Sequence, residues 1–104
     1  MVFERFFERR RRASAAKEYA QRERELYARI ISIMQRCKTK QQIIGGFREI
    51  EFTARRSPNF DLANTAKAAA EGCKSLPIEY VIQLRDDQIR IAEAFLKVTK
   101  EYAK

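Results

Sequence analysis

The side chains most able to do chemistry in this chain are four serines, two cysteines and a set of carboxylates. A serine nucleophile needs a base beside it, usually histidine, and the sequence contains no histidine. Asp86 and Asp87 are adjacent, so on a helix their side chains diverge by about 100° and cannot work as a carboxylate pair. Gly45 and Gly46 lack the flanking residues of a phosphate-binding loop. The sequence therefore predicts a protein that is not an enzyme, with no catalytic residue and no cofactor.

The two cysteines, Cys37 and Cys73, are too few for a disulfide scaffold. Both fall on predicted apolar helix faces, so we expect buried thiols that act as small hydrophobic residues in a reducing, intracellular compartment. A disulfide between two helices is the alternative. Because histidine and further cysteines are missing, the sequence predicts no metal site.

Positive charge is concentrated in the first half of the chain, and the net charge is +8. Residues 1–56 contain 15 Lys and Arg against 7 Asp and Glu, whereas residues 57–104 contain 7 of each. This asymmetry favours an acidic partner: an acidic protein, a nucleic acid or an anionic membrane surface. A solvated, arginine-rich helix surface without a partner is the alternative.

The basic residues predicted to meet an acidic partner are Arg9, Arg10, Arg11, Arg12, Arg29 and Arg48. Nucleic-acid binding needs several basic side chains on one face. Glutamates interrupt the basic residues of this half: Glu18, Glu23, Glu25, Glu49 and Glu51. No zinc-finger, RNA-recognition or basic-zipper signature is present. The sequence therefore favours a protein partner and keeps nucleic acid as the second hypothesis.

The first predicted helix spans residues 13–37, because apolar residues recur at helical spacing from Tyr19 to Cys37. Upstream, residues 1–12 combine an apolar, aromatic patch with four consecutive arginines. This segment either extends the first helix or docks separately, and its phenylalanines beside arginines would suit an anionic membrane surface.

The second predicted helix opens at Thr39, because Thr39 and Gln42 have the spacing of a capping box. It ends before Pro58, since the residue preceding a proline avoids the helical region. Gly45 and Gly46 lie inside it and predict either a kink or a close approach by another part of the backbone.

Two further helices are predicted in the second half. The third starts near Asn59 or Asp61, both good N-caps, and Gly72 is expected to help end it. Its predicted inner face is Leu62, Ala66, Ala69 and Cys73. Pro77 suits the first turn of a fourth helix, which is predicted to reach about residue 102. Short connections make neighbouring helices antiparallel, so we expect a single all-α domain, a three- to four-helix antiparallel bundle with a long C-terminal helix.

The predicted fourth helix carries two apolar stripes, whereas a small bundle needs only one. Its last turns are therefore predicted to offer an apolar interface to another protein: Phe95, Val98 and Tyr102. The alternative is that the first helix runs beside it and covers both stripes within one molecule.

A short motif spans the first two predicted helices. It reads Leu26, Tyr27, Ala28, Arg29, Ile30 and Ile31, followed by Phe47 and Arg48. This pattern resembles that of the LYR-motif family of small helical mitochondrial proteins, which is Leu-Tyr-Arg, one residue and two aliphatic residues, then a later Phe-Arg. Ala28 stands where the family has its signature arginine, so Arg29 would replace that arginine from about 100° around the helix.

The resemblance implies an accessory subunit or assembly factor of a mitochondrial complex. It also implies docking to an acyl carrier protein, an acidic partner with a phosphopantetheine arm, which the basic first half would suit. The alternative is that the apolar residues of the motif are simply core. The predicted function is thus a non-catalytic, protein-binding helical subunit of a larger assembly, and the second hypothesis is nucleic-acid or ribonucleoprotein binding.

Overall fold

The computed structural model describes residues 2–100, with side chains for residues 11, 12 and 14–100. Over this part of the chain there are four helices, α1 (Val2–Gln35), α2 (Lys40–Arg56), α3 (Phe60–Cys73) and α4 (Ile78–Val98). Helix α1 packs mainly against α4, α2 packs mainly against α3, and α1 also meets α2. The predicted all-α bundle is confirmed.

Helix α1 is longer than predicted, because it begins at Val2 and not at residue 13. Residues 2–12 therefore continue α1 rather than dock separately. No glycine or proline precedes Gly45, so nothing in the first stretch interrupts a helix. With 34 residues α1 spans about 51 Å, most of the 62 Å length of the molecule.

Helix α4 is shorter than predicted. It has 21 residues and ends at Val98, where the Thr99 backbone N–H donates to the carbonyl of Phe95. The predicted extension to residue 102 is wrong, and α1 rather than α4 is the longest helix. Tyr102 itself lies outside the described residues.

The start of α2 follows the predicted capping box. The backbone N–H of Gln42 donates to Thr39 Oγ1 at 3.1 Å, and the backbone N–H of Thr39 donates to Gln42 Oε1 at 3.1 Å. At the other end the Ser57 N–H donates to the carbonyl of Ala54, and Pro58 follows. Local sequence thus sets both ends of α2.

The two glycines of α2 differ in their surroundings. A Cβ atom on Gly46 would lie 2.6 Å from Met34 Cε and 2.8 Å from Cys37 Sγ. A Cβ atom on Gly45 would meet nothing within 4 Å. Another part of the chain thus lies close to Gly46, but its nearest atoms belong to side chains at the end of α1 and not to a backbone, so the predicted backbone approach is corrected to side-chain packing.

Helix α3 begins at the predicted cap, since Asn59 Oδ1 accepts a hydrogen bond from the Leu62 N–H at 3.1 Å. Its fully buried residues are Ala63, Ala66, Ala70 and Cys73. Leu62 and Ala69, predicted for the same face, are half-buried at its edge. Gly72 lies inside the helix, and no described glycine has a positive φ, so the prediction that Gly72 ends α3 is wrong.

Three long basic side chains donate hydrogen bonds to backbone carbonyls at or just past the C-terminal ends of other helices. Arg24 Nη1 donates to the Leu96 carbonyl at 2.7 Å and to Thr99 Oγ1 at 2.6 Å, at the end of α4. Arg85 Nη1 donates to the Cys37 carbonyl at 2.9 Å, just past the end of α1. These bonds pair carbonyls left open at helix C-termini and show that α1 and α4 run antiparallel.

Lys40 on α2 bonds in the same way to carbonyls just past the C-terminal end of α3. Its ammonium Nζ donates to the carbonyl of Lys74 at 3.1 Å and to that of Leu76 at 2.7 Å. Part of the positive charge of the first half therefore stabilises the fold and does not face a partner.

Glu23 links α1 to the cap of α3. Its side chain is only 6% exposed, and Asn59 Nδ2 donates to Glu23 Oε2 at 2.9 Å. Asn59→Asp would keep the oxygen that caps α3 but replace this donor with a second carboxylate. We expect a loss of about 2 kcal/mol in the free energy of unfolding, because a partly buried hydrogen bond to the Glu23 carboxylate is lost and a second carboxylate takes the place of its donor. Urea denaturation at neutral pH measures this loss.

The control is Asn59→Ser, which also keeps the cap and removes the donor without adding charge, and should lose less. Adding Glu23→Gln to Asn59→Asp should recover most of the stability. Equal stability of Asn59→Asp and the original chain would contradict the contact between Glu23 and Asn59.

Candidate protein-binding surface

The apolar residues of the LYR-like motif lie in or beside the core. Leu26, Ile30 and Phe47 are buried, and Ile31 is half-buried against them. Tyr27 is half-buried and its ring stacks on that of Phe95, with centroids 4.0 Å apart. Burial, followed by the nearby Glu23 carboxylate, raises the pKa of the Tyr27 phenol. These residues hold α1, α2 and α4 together.

The two arginines of the motif are exposed and face different helices. Arg29 Nη2 lies 3.9 Å from Glu49 Oε1, across α1 and α2. Arg48 Nη2 lies 3.1 Å from Glu71 Oε1, across α2 and α3. Hydrogen bonds from Lys74 and Arg48 lower the pKa of Glu71. The structure therefore does not bring Arg29 and Arg48 into one site.

The arginine run lies in the first part of α1. Arg11 and Arg12 are exposed, whereas the side chains of Arg9 and Arg10 lie outside the described residues. The described side chains from residue 11 to residue 19 are all exposed. No other described helix covers this part of α1.

A basic face runs along α1. Arg22 and Arg29 on α1 and Arg36, the first residue after it, are seven residues apart and all exposed. They therefore follow one side of the helix and its end at intervals of about 10.5 Å. Arg11 lies about three turns before Arg22 on the same side. The seven-residue spacing is visible in the sequence, although Arg22 and Arg36 were not among the predicted partner-binding residues.

Across from this face, α2 contributes Phe52 and Arg56. Phe52 is 64% exposed, and the Arg56 guanidinium lies over its ring at 5.7 Å. Between the helices is a depression of about 500 Å³ that these residues line together with Arg29 and Glu49. Smaller depressions continue it toward Arg22 on one side and Arg36 on the other. We call this surface the arginine groove and define it by Arg22, Arg29, Arg36, Phe52 and Arg56.

Carboxylates lie within the arginine groove as well. Glu25 lines it beside Arg22, and Glu49 lines it beside Arg29. The arginine groove therefore carries an excess of positive charge with negative charges at fixed places. Phe52 could not be assigned from the sequence because it lies off the apolar stripe of α2, where a lone aromatic residue gives no signal of its own.

The predicted apolar interface of α4 is divided between core and surface. Phe95 is half-buried by its stacking on Tyr27, so α1 covers this part of the stripe. Val98 is 74% exposed. Other apolar residues of α4 are also exposed, among them Tyr80 and Ile91. Helix α1 therefore covers only some of the apolar surface of α4.

Both cysteines are free and buried in the described structure. Burial raises the pKa of the Cys37 thiol and of the Cys73 thiol, so both are held in the neutral, unreactive form. Among the residues described, no cluster of three or more Cys, Asp or Glu side chains has the arrangement of a metal site. None of the described helices is long and apolar enough to cross a membrane.

Comparison of the chain with protein-family models, with curated proteins and with solved structures finds no match.

Proposed function

We propose that this protein is a non-catalytic helical subunit or assembly factor that binds an acidic partner protein through the arginine groove. The observation that carries the proposal is the row of three exposed arginines, Arg22, Arg29 and Arg36, beside the exposed ring of Phe52. An exposed aromatic ring among arginines is typical of protein interfaces, where both residue types are enriched.

The spacing of the arginines fits a helix in the partner. Carboxylates placed seven residues apart on a partner helix repeat at about 10.5 Å, as the arginines do. Arg29 is free to change partner, because its contact with Glu49 at 3.9 Å joins two exposed side chains and such pairs contribute little. Phe52 and the alkyl parts of the arginines would cover apolar residues between those carboxylates.

An acyl carrier protein is the first partner to test. The LYR-like residues motivate this choice, and an acyl carrier protein is acidic, as the arginine groove requires. In this proposal Arg29 takes the role of the family's arginine, whose position is occupied here by Ala28. Arg29 lies in the arginine groove, whereas Arg48 contacts Glu71 on the other side of α2. A mitochondrial location would follow from the same proposal.

Nucleic-acid binding is the second candidate. It is favoured by the alignment of Arg11 with Arg22, Arg29 and Arg36, and by the exposed Phe52, on which a base could stack. Glu25 and Glu49 argue against it. A continuous phosphate backbone would be repelled at both positions, whereas a protein helix can place basic residues there.

The test is replacement of Arg22, Arg29 and Arg36 together by glutamine, with binding to acyl carrier protein measured by calorimetry at several salt concentrations. Three exposed contacts of about 0.5 kcal/mol each should raise Kd about tenfold, and the salt dependence should flatten. Stability should hardly change, because exposed charges contribute little to it. Replacing Arg9, Arg10, Arg11 and Arg12 by glutamine in a second variant asks whether the preceding turns add to binding.

The matched control replaces Lys67, Lys97 and Lys100 by glutamine, which removes the same charge from exposed positions on the other half of the chain. It should bind like the original protein. If both triple variants weaken binding equally, only net charge matters and the arginine groove is not the site. If single-stranded RNA binds the original chain more tightly than the acyl carrier protein and loses affinity in the arginine variant, the second candidate replaces the first.

A further inference from the structure

Helix α4 has an apolar side face that the rest of the described chain covers only in part, because Leu84 at its edge is half-buried against the core. Leu84, Ile91 and Val98 are seven residues apart. A second row, four residues before each of them, consists of Tyr80, Asp87 and Ala94, and the two rows together have the spacing of a coiled-coil seam. We call this face the α4 seam, and its members are Tyr80, Leu84, Asp87, Ile91, Ala94 and Val98. Tyr80 is 56% exposed, Ile91 58% and Val98 74%, so most of the seam is in solvent.

We propose that two copies of this chain associate by antiparallel pairing of their α4 seams. This interface is separate from the arginine groove, because the two share no residue. In an antiparallel pair centred near residue 89, Tyr80 lies opposite the Val98 of the second copy. Leu84 lies opposite the second copy's Ala94, so a large side chain meets a smaller one at both places. The third pair of this register sets Asp87 opposite the second copy's Ile91. The seam is therefore complementary to itself in size at its two ends, as an interface with two-fold symmetry requires, and depends on ion pairing at its centre.

The charged residues of the seam fit the same register. Asp87 lies on the seam and forms an ion pair with Arg90 of its own chain. Close to a two-fold axis near residue 89, Asp87 of each copy comes within reach of the other copy's Arg90. Each Asp87 carboxylate, which would otherwise disfavour burial of the seam, then contacts the Arg90 side chains of both copies. A shift of one helix along the other would separate these ion pairs.

The overall charge balance also permits two α4 helices to meet. Residues 57–104 carry 7 basic and 7 acidic residues, so this half has no net charge. Two copies would repel each other most strongly through α1 and α2, which carry the excess of basic residues. A partner with a strongly acidic binding helix, as proposed for the arginine groove, gains nothing from the neutral seam. A second copy is therefore the occupant that the charges favour.

Sedimentation equilibrium of the full chain tests the pairing. We expect a concentration-dependent monomer–dimer equilibrium, and Ile91→Glu or Val98→Glu should raise the dimer Kd at least about tenfold, because a charge would be buried in an apolar seam. The matched control is Phe60→Glu, since Phe60 on α3 is 57% exposed but lies outside the seam. Circular dichroism should show that all three variants remain helical.

A disulfide experiment tests the direction. Tyr80→Cys and Val98→Cys chains, mixed and oxidised with diamide, should give the mixed disulfide, whereas Tyr80→Cys alone should give little covalent dimer. The native thiols are buried and should not interfere. A covalent dimer formed by Tyr80→Cys alone would overturn the antiparallel register.

Two results of the sedimentation experiment would overturn the pairing itself. The first is a monomer at every concentration. The second is a dimer that Phe60→Glu weakens as much as Ile91→Glu does. If the chain is a monomer and a separate binding measurement shows that Ile91→Glu loses binding to the acyl carrier protein, the seam is assigned to that partner. Loss of dimerisation with intact binding in the arginine groove would support both proposals independently.

Discussion

Replacing Phe47 by alanine is expected to lower the free energy of unfolding by about 3–5 kcal/mol, the usual range for deleting a buried aromatic side chain. The Phe47 side chain is 2% exposed and is among the largest in the core. Its neighbours come from different helices, so they cannot move in to fill the space without changing how the helices pack. Urea denaturation followed by circular dichroism measures the loss. An unchanged m-value would show that the surface area exposed on unfolding is the same in the variant.

Phe52→Ala is the matched control, because it deletes the same side chain from the same helix at a position that is 64% exposed. Phe52→Ala removes the cation–π contact with Arg56, so the expected change is about 0.5–1 kcal/mol. The two variants also separate stability from binding, since Phe52 belongs to the arginine groove and Phe47 does not. A loss under about 1 kcal/mol for Phe47→Ala would show that the core does not depend on this ring.

The parts of the fold that the sequence predicts are those determined by neighbours along the chain. The capping box at Thr39, the cap at Asn59 and the stop before Pro58 each depend on residues within one turn. On α2 the residues Ile43, Phe47, Ile50 and Ala54 recur at helical spacing, which is likewise a local pattern, and they form the buried side of that helix. Such features can be predicted because residues that share a face or a cap of a helix are separated by a fixed number of positions.

The parts that the sequence does not predict depend on contacts between distant residues. Arg24 and Arg85 appear in the sequence as surface charges, yet they bond to backbone carbonyls 72 and 48 residues away. Glu23 appears as an acid that interrupts a basic face, yet it is buried at the cap of α3. No local pattern distinguishes these charges from solvated ones, because their partners are set by how the helices pack.

The candidate surfaces follow the same division. The exposed stripe of α4 was predicted from its excess of apolar residues, but the coverage of Phe95 by Tyr27 depends on the packing of α1. The arginine groove forms only when α2 lies beside α1. The spacing of its arginines can therefore be predicted from the sequence, but the residues of α2 that line it cannot. Arg29 and Arg48 share a motif in the sequence but face different helices in the structure.

The close approach of α2 to α1 makes Gly46 the position where a small addition should have the next largest effect. Gly46→Val is expected to destabilise the protein by about 3 kcal/mol, because even its Cβ would lie 2.6 Å from Met34 Cε and 2.8 Å from Cys37 Sγ. The methionine methyl group can move, but the cysteine side chain is short and buried, so the helices must separate. The two methyl groups of valine add to this crowding.

Gly45→Val is the matched control, because the adjacent glycine has no atom within 4 Å of its would-be Cβ. Valine forms helices better than glycine, so this variant should be as stable as the original protein or more stable by a few tenths of a kcal/mol. Thermal unfolding of the two variants side by side cancels the shared gain in helix propensity. The difference between them measures the closeness of α1 and α2 alone, and equal stability would contradict the contact at Gly46.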